Sequence, residues 1–190
     1  MKIKLIMLTV AMSCAFAGNV MAMTKAEYKT QEAQISADYK ASREKCEVMK
    51  GNAKDICKAE AKGTEKVAKA ELTAQYQPGA KNTEKVALAK ADAAYDTAKE
   101  KCDDLAGNAK DVCVKDAKAA YVKAKEDAKV AKVTADSSKE KTTAVNDAKK
   151  TASTETREAD YKAAKERCDS LAGVAKDTCQ NDAKAKYDMK

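Results

Sequence analysis

Histidine and tryptophan are absent from the 190 residues, and proline and phenylalanine occur once each. Without histidine the chain lacks the side chain that most often does acid–base work near neutral pH, and also the commonest nitrogen ligand for metals. It has no Gly-rich phosphate loop, and no Ser or Cys nucleophile with an identifiable base partner. The adjacent Asp103 and Asp104 leave a helix on different faces. The expectation is a protein that is not an enzyme, with no cofactor, no metal and no small-molecule substrate. Large aliphatic residues are also scarce: beyond residue 22, Leu, Ile, Val and Phe number 16 among 168. That is about half the roughly 20% below which charged chains turn disordered, so a large conventional core is excluded.

Ala, Lys, Glu and Asp fill the remaining positions, and most of these residues favour helix. From Gly107 to Gly173 there is no intervening Gly or Pro. The chain therefore reads as helical with little core. Its formal charge is +7, or +5 without Lys2 and Lys4, with both signs interleaved throughout. This is a mildly basic surface and not a polybasic tail.

Residues 1–22 read as a secretory signal. Lys2 and Lys4 form the basic start, Leu5 to Val20 the apolar stretch, and Val20-Met21-Ala22 a small-residue cleavage site. A cut after Ala15-Phe16-Ala17 also fits. Cys14 sits in a pattern loosely like a lipobox, but that pattern lacks its leading Leu and is followed by more apolar residues. No later stretch reaches the ~18–20 apolar residues that a membrane span needs. The expected location is the periplasm or the exterior.

Six cysteines remain in an oxidising compartment, and they fall into three pairs with ten residues between partners: Cys46 and Cys57, Cys102 and Cys113, Cys168 and Cys179. An even count at regular spacing implies disulfides. Internal repetition favours these local pairings, although spacing alone leaves bridges between repeats open. Redox-active pairs are typically closer together and sit at a helix N-terminus. A zinc site would need closer cysteine spacing or histidine.

Each pair encloses a glycine. Gly51, Gly107 and Gly173 suit the left-handed position that ends a helix, and Asn52 and Asn108 suit the cap of the next helix, with Asp55 and Asp111 three residues on. In the third copy Val174 replaces the Asn. A tyrosine precedes each first cysteine by seven residues, so Tyr39, Tyr95 and Tyr161 share its helix stripe and are expected to pack beside the disulfide. The stripes run Tyr28, Ile35, Tyr39, Ser42, Cys46, Met49; then Leu88, Ala91, Tyr95, Ala98, Cys102, Leu105; then Tyr161, Ala164, Cys168, Leu171. The return arms read Cys57, Ala61, Thr64, Ala68, Leu72 and Cys113, Ala117, Ala120, Ala124. Tyr76, Tyr121 and Tyr187 have no such register.

Pro78-Gly79 marks a reversal, with helix restarting at Asn82 or Thr83. Between the second and third pairs the choice is a break at Thr134 to Lys139 or one helix from Ala109 to Leu171, about 95 Å long. The break is preferred. The fold class is all-α: three disulfide-clasped hairpins of about six helices, as an up-down bundle or an extended coiled-coil-like array. The hairpins span 23–77, 78–134 and 135–190, with weak docking expected between them.

With its Tyr-x6-Cys-x10-Cys repeats and the words GNAKD and EAKA or DAKA, the chain resembles small exported bacterial proteins rich in Lys and Ala, often labelled cell envelope biogenesis or TolA-like. The TolA likeness covers only the Lys/Ala/Glu-rich helical composition. The clasp is also similar to the hairpins of twin Cys-x9-Cys proteins, which carry two bridges each. The resemblance implies a structural or interaction role in the envelope, with a protein or an anionic envelope polymer as partner. Alternatives are a chaperone-like or anionic-polymer-binding protein using its basic faces, and a thiol-redox protein. Interleaved acids disfavour nucleic acid.

Overall fold

The computed structural model describes residues 23–136 and 142–189. The proposed signal at 1–22 lies outside them. The described chain forms six helices and no strand: α1 Lys25–Glu47, α2 Asn52–Tyr76, α3 Ala80–Cys102, α4 Gly107–Ala135, α5 Thr142–Cys168 and α6 Gly173–Lys186. Thr24 starts α1 with a full capping box: its hydroxyl accepts from the Glu27 N–H at 3.2 Å, and the Glu27 carboxylate accepts from the Thr24 N–H at 2.8 Å. The Thr-x-x-Glu signature is plain in the sequence and was not among the expected caps.

Gln77-Pro78-Gly79 reverses the chain, but helix resumes at Ala80 and not at Asn82 or Thr83. Those two side chains bridge the turn instead. Asn82 Nδ2 donates to the Gln77 carbonyl at 2.6 Å, and Thr83 Oγ1 donates to the Gly79 carbonyl at 3.2 Å. The long helix from Ala109 to Leu171 is not formed, because α4 and α5 are separate helices packed on each other. Ser137 to Lys139, the centre of the expected break, lie outside the described residues.

Among the described residues each helix packs only on its neighbours in the chain. The result is a serial up-down array in which the three clasped turns share one end. Asn52 at the start of α2 donates to the Glu100 carbonyl near the end of α3 at 2.7 Å, which ties the first two clasps side by side. Lys115 to Glu166 and Arg167 to Asp116 do the same for the second and third.

Docking between hairpins is not weak. The α2–α3 and α4–α5 joints are more extensive than the joints within any hairpin. Their chemistry explains this. Among the described residues, apart from Leu72, every buried apolar residue is an Ala or a Cys, and the three fully buried side chains are Cys46, Cys102 and Cys168. Small side chains let helix axes come close, and many weak contacts accumulate along the length. Gly63, in the middle of α2, is buried where α2 meets Ala93 of α3. Ala119 and Ala159 occupy the equivalent places at the α4–α5 joint, in a cluster with Ala163 and Val122.

Two positions of the return-arm stripes are overturned. Thr64 and Ala120 are exposed, because α2 and α4 are each flanked on two sides and present Gly63 and Ala119 to the next hairpin. A two-sided helix cannot be read from one stripe. Glu126 is also buried, with its carboxylate 2.6 Å from Lys129 Nζ.

The Gly63 contact yields a test. A Cβ at residue 63 would stand 2.7 Å from the Ala93 Cβ, so Gly63→Ala should destabilise by about 1–3 kcal/mol despite its better helix propensity. Ala93→Gly in the same chain should restore most of that loss in urea unfolding, giving a coupling of about 1 kcal/mol or more. A Gly63→Ala variant that gained stability alone would contradict the close approach.

Candidate interaction surface

The clasps are disulfides Cys46–Cys57, Cys102–Cys113 and Cys168–Cys179, with Cα separations of 5.6, 5.6 and 5.7 Å. Each closes a short loop, worth roughly 2–3 kcal/mol by loop-closure entropy. The first cysteine of each pair is fully buried and the second is half-buried.

The glycines do take positive φ, +57° at Gly51 and +56° at Gly107 and Gly173, but not as helix C-caps. Val48 and Asp103 cap α1 and α3, and the glycines stand at the start of the following helices. Gly51, with ψ −150°, lies in backbone space that is essentially reserved for glycine. Asn52 and Asn108 are therefore not N-caps. Those positions fall to Gly51 and Ala106, with no side-chain cap bond, and Ala172 serves the third copy in the same way. The first helix stops within a residue of its cysteine so that the loop can bring the second cysteine back to bridging distance. This moves the glycine from the end of one helix to the beginning of the next. Asn52 makes its bond across to α3 instead.

Met49, Leu105 and Leu171, expected at the ends of buried stripes, are 43, 45 and 42% exposed, and Val48 and Val174 are 84 and 80% exposed. All five sit at the clasped turns.

The clasp also sets a register. A residue n positions before the first cysteine lies level with one n + 1 after the second. Tyr28, 18 before Cys46, meets Tyr76, 19 after Cys57, with ring centroids 4.7 Å apart; the Tyr28 and Thr73 hydroxyls share a hydrogen bond. Tyr95 stacks on Tyr121 at 4.9 Å by the same rule. Tyr76 and Tyr121 thus have defined partners, and counting from the cysteines would have found them. In the first hairpin Glu65 takes the place of the second tyrosine, and Tyr39 has Arg43 6.0 Å from its ring centroid. In the third, α6 ends at Lys186, so Tyr187 lies past the last helical residue, in a groove with Arg157 and Asp160, while Tyr161 is half-buried on α5.

On one broad face these rings meet charge. Lys118 Nζ lies 5.3 Å from the Tyr95 ring and 4.8 Å from Tyr121, and Lys125 Nζ lies 5.3 Å from Tyr121. Burial pushes the Asp92 carboxyl up, but hydrogen bonds from Lys66 and Tyr121 outweigh it and hold it below the usual aspartate range. The same bond from Tyr121 to Asp92, with burial added, raises the tyrosine. This network ties α2, α3 and α4. Beside it, toward the clasps, a groove of about 420 Å³ has Tyr39 and Arg43 as one wall, Lys58, Ala59 and Lys62 as floor, and Asp96, Lys99 and Glu100 as the other wall, with Asp55 at its edge.

Among the described residues no group of three or more His, Cys, Asp or Glu side chains could hold a metal ion, and no helix is long and apolar enough to cross a membrane. The chain matches no protein-family model, no curated protein and no solved structure.

At the first clasp, hydrogen bonds from Lys54 and then Lys58 lower the Glu47 carboxyl from 4.5 to about 2. A carboxyl depressed in the folded state contributes stability above its unfolded pKa and loses it as the pH falls through the folded value. Glu47→Gln should therefore lower the thermal midpoint slightly at neutral pH, the side chain being half in solvent, and this deficit should shrink between pH 4.5 and about 2. A deficit constant across that window would show that the bridge contributes nothing.

Proposed function

We propose that the chain is an exported, non-enzymatic helical repeat protein with a structural or interaction role in the cell envelope, located in the periplasm or secreted. The observation that carries this reading is the trio of clasps. Three disulfides belong to an oxidising, extracytoplasmic environment, and here they supply covalently what a core of alanines lacks. In a reducing compartment the hairpins would lose a large share of a stability that is typically only ~5–15 kcal/mol. Buried, regularly repeated bridges suit a permanent staple better than a cycling redox pair. The resemblance to Lys/Ala-rich envelope proteins points the same way, and signal removal at residue 22 would leave a mature chain without its apolar segment.

Fractionation and thiol mapping test this. The protein should appear in the periplasmic or culture fraction, cut before Met23, with all six remaining cysteines blocked to alkylation. Reduction should lower helical circular dichroism markedly. Recovery from the cytoplasm with free thiols would refute the reading, and a disulfide potential well above about −300 mV would favour the thiol-redox alternative.

A further inference from the structure

We propose that the tyrosine–lysine face across α1 to α4 binds an acidic polysaccharide whose carboxylates are well separated, such as a uronate-containing chain. The proposal rests on the exported, non-enzymatic reading above. Lys58, Lys62 and Lys66 step along α2 four residues apart, Asp92, Asp96 and Lys99 along α3, and Lys118, Tyr121 and Lys125 along α4. Steps of three and four put each set on one stripe. The bonds from Lys66 and Tyr121 to Asp92 show that the three stripes open on the same side of the array.

Within the groove Lys58 pairs with Glu47 at 3.0 Å, while Arg43, Lys62 and Lys99 form no ion pair within 4.0 Å among the described residues. On the opposite side Lys90 pairs with Glu71 at 2.7 Å and Lys101 with Glu60 at 3.2 Å. The arrangement also repeats. Tyrosine seven before the first cysteine, Arg or Lys four residues later and Lys five after the second cysteine give Tyr39/Arg43/Lys62, Tyr95/Lys99/Lys118 and Tyr161/Lys165/Lys184.

The groove acids decide the class of polyanion. Asp55, Asp96 and Glu100 lie among the cations. Duplex nucleic acid, with one charge per roughly 1.7 Å, would press phosphates against all three. A polysaccharide with isolated carboxylates can seat one on Arg43, whose guanidinium fork suits a carboxylate, and turn its neutral hydroxyls to donate to the groove acids. Tyr39 offers the apolar ring surface on which a sugar face packs. The groove volume of about 420 Å³ is in the range of ligand sites, roughly 300–1,000 Å³.

Titration calorimetry of the purified disulfide-bonded protein with polygalacturonate, dextran and a short DNA duplex tests the proposal at low and physiological salt. Polygalacturonate should bind, more weakly as salt rises, while dextran should not bind and the duplex should bind less well. Arg43→Gln/Lys62→Gln/Lys99→Gln should weaken polygalacturonate binding by about tenfold or more. Lys90→Gln/Lys101→Gln/Lys123→Gln removes the same charge from paired lysines and should change it less than about twofold. Tyr39→Leu should cost affinity at both salt levels. Equal losses in the two triple variants would reduce the effect to net charge and overturn the proposal. Absence of polygalacturonate binding, or tighter binding of the duplex, would overturn it as well. Circular dichroism of each variant separates lost binding from lost fold, and because cellular location plays no part, failure here leaves the fractionation result standing.

Discussion

Close approach between helices is the constraint on which this structure depends. With Leu72 the one buried large aliphatic side chain among the described residues, the chain cannot hold helices together by filling the space between them with side chains. It must remove the space. Gly63 against Ala93, and Ala119 in the cluster with Ala159 and Ala163, do so at the two joints between hairpins. Each contact contributes little, since an alanine methyl brings only ~1 kcal/mol of burial, and the gain accumulates along helices of 23 to 29 residues. Within hairpins the joints are less extensive, and there the disulfides act. Covalent and non-covalent ties thus alternate along the array, one kind inside each hairpin and the other between hairpins.

This alternation explains what could be read from the sequence. Helical class, hairpin number and the break between α4 and α5 follow from composition, repetition and spacing, all of them local properties. The first stripe, expected from Tyr28 to Met49, fails at Met49, which lies past the end of α1. It is half-buried or buried at Tyr28, Ile35, Tyr39, Ser42 and Cys46, because α1 has a neighbour on one side only. Thr64 and Ala120 were misplaced because α2 and α4 have two. In an alanine-rich helix all faces are about equally small, so hydrophobic periodicity cannot tell one interface from two. The turn was misread for another reason. Asn-x-x-Asp after glycine satisfies a capping pattern, yet the disulfide fixes the ends of both helices and leaves Asn52 to bond the neighbouring hairpin.

The candidate surface was half legible. Tyr39, Tyr95 and Tyr161 stood out by their fixed distance from cysteine, whereas Tyr76 and Tyr121 acquire their role only once the clasp makes positions before and after it level. Charge was the harder part. Interleaved Lys, Glu and Asp read as a balanced solvated surface, but helix packing sorts them. Some lysines find carboxylates on an adjacent helix, such as Lys132 on Glu84 at 2.8 Å, while Arg43, Lys62 and Lys99, unpaired among the described residues, are brought together in one groove. Net charge says nothing about that sorting.

The unequal spacing of the repeats shows which end of the array is held constant. Cys102 and Cys168 are ten residues further apart than Cys46 and Cys102. The extra length enters away from the clasps. α4 runs 22 residues past Cys113 where α2 runs 19 past Cys57, and α5 begins 26 before Cys168 where α3 begins 22 before Cys102. Each helix has gained about one turn of 3.6 residues, and the connector between them takes up the rest. An insertion of a whole turn on both sides keeps every residue nearer the clasp on its original face and at its original level. The joint of Ala119 and Ala159 can therefore match that of Gly63 and Ala93, and Lys118 can stand to Tyr95 as Lys62 does to Tyr39. Length at the free end varies without disturbing the clasped end, so the geometry that repeats is the geometry the disulfides index.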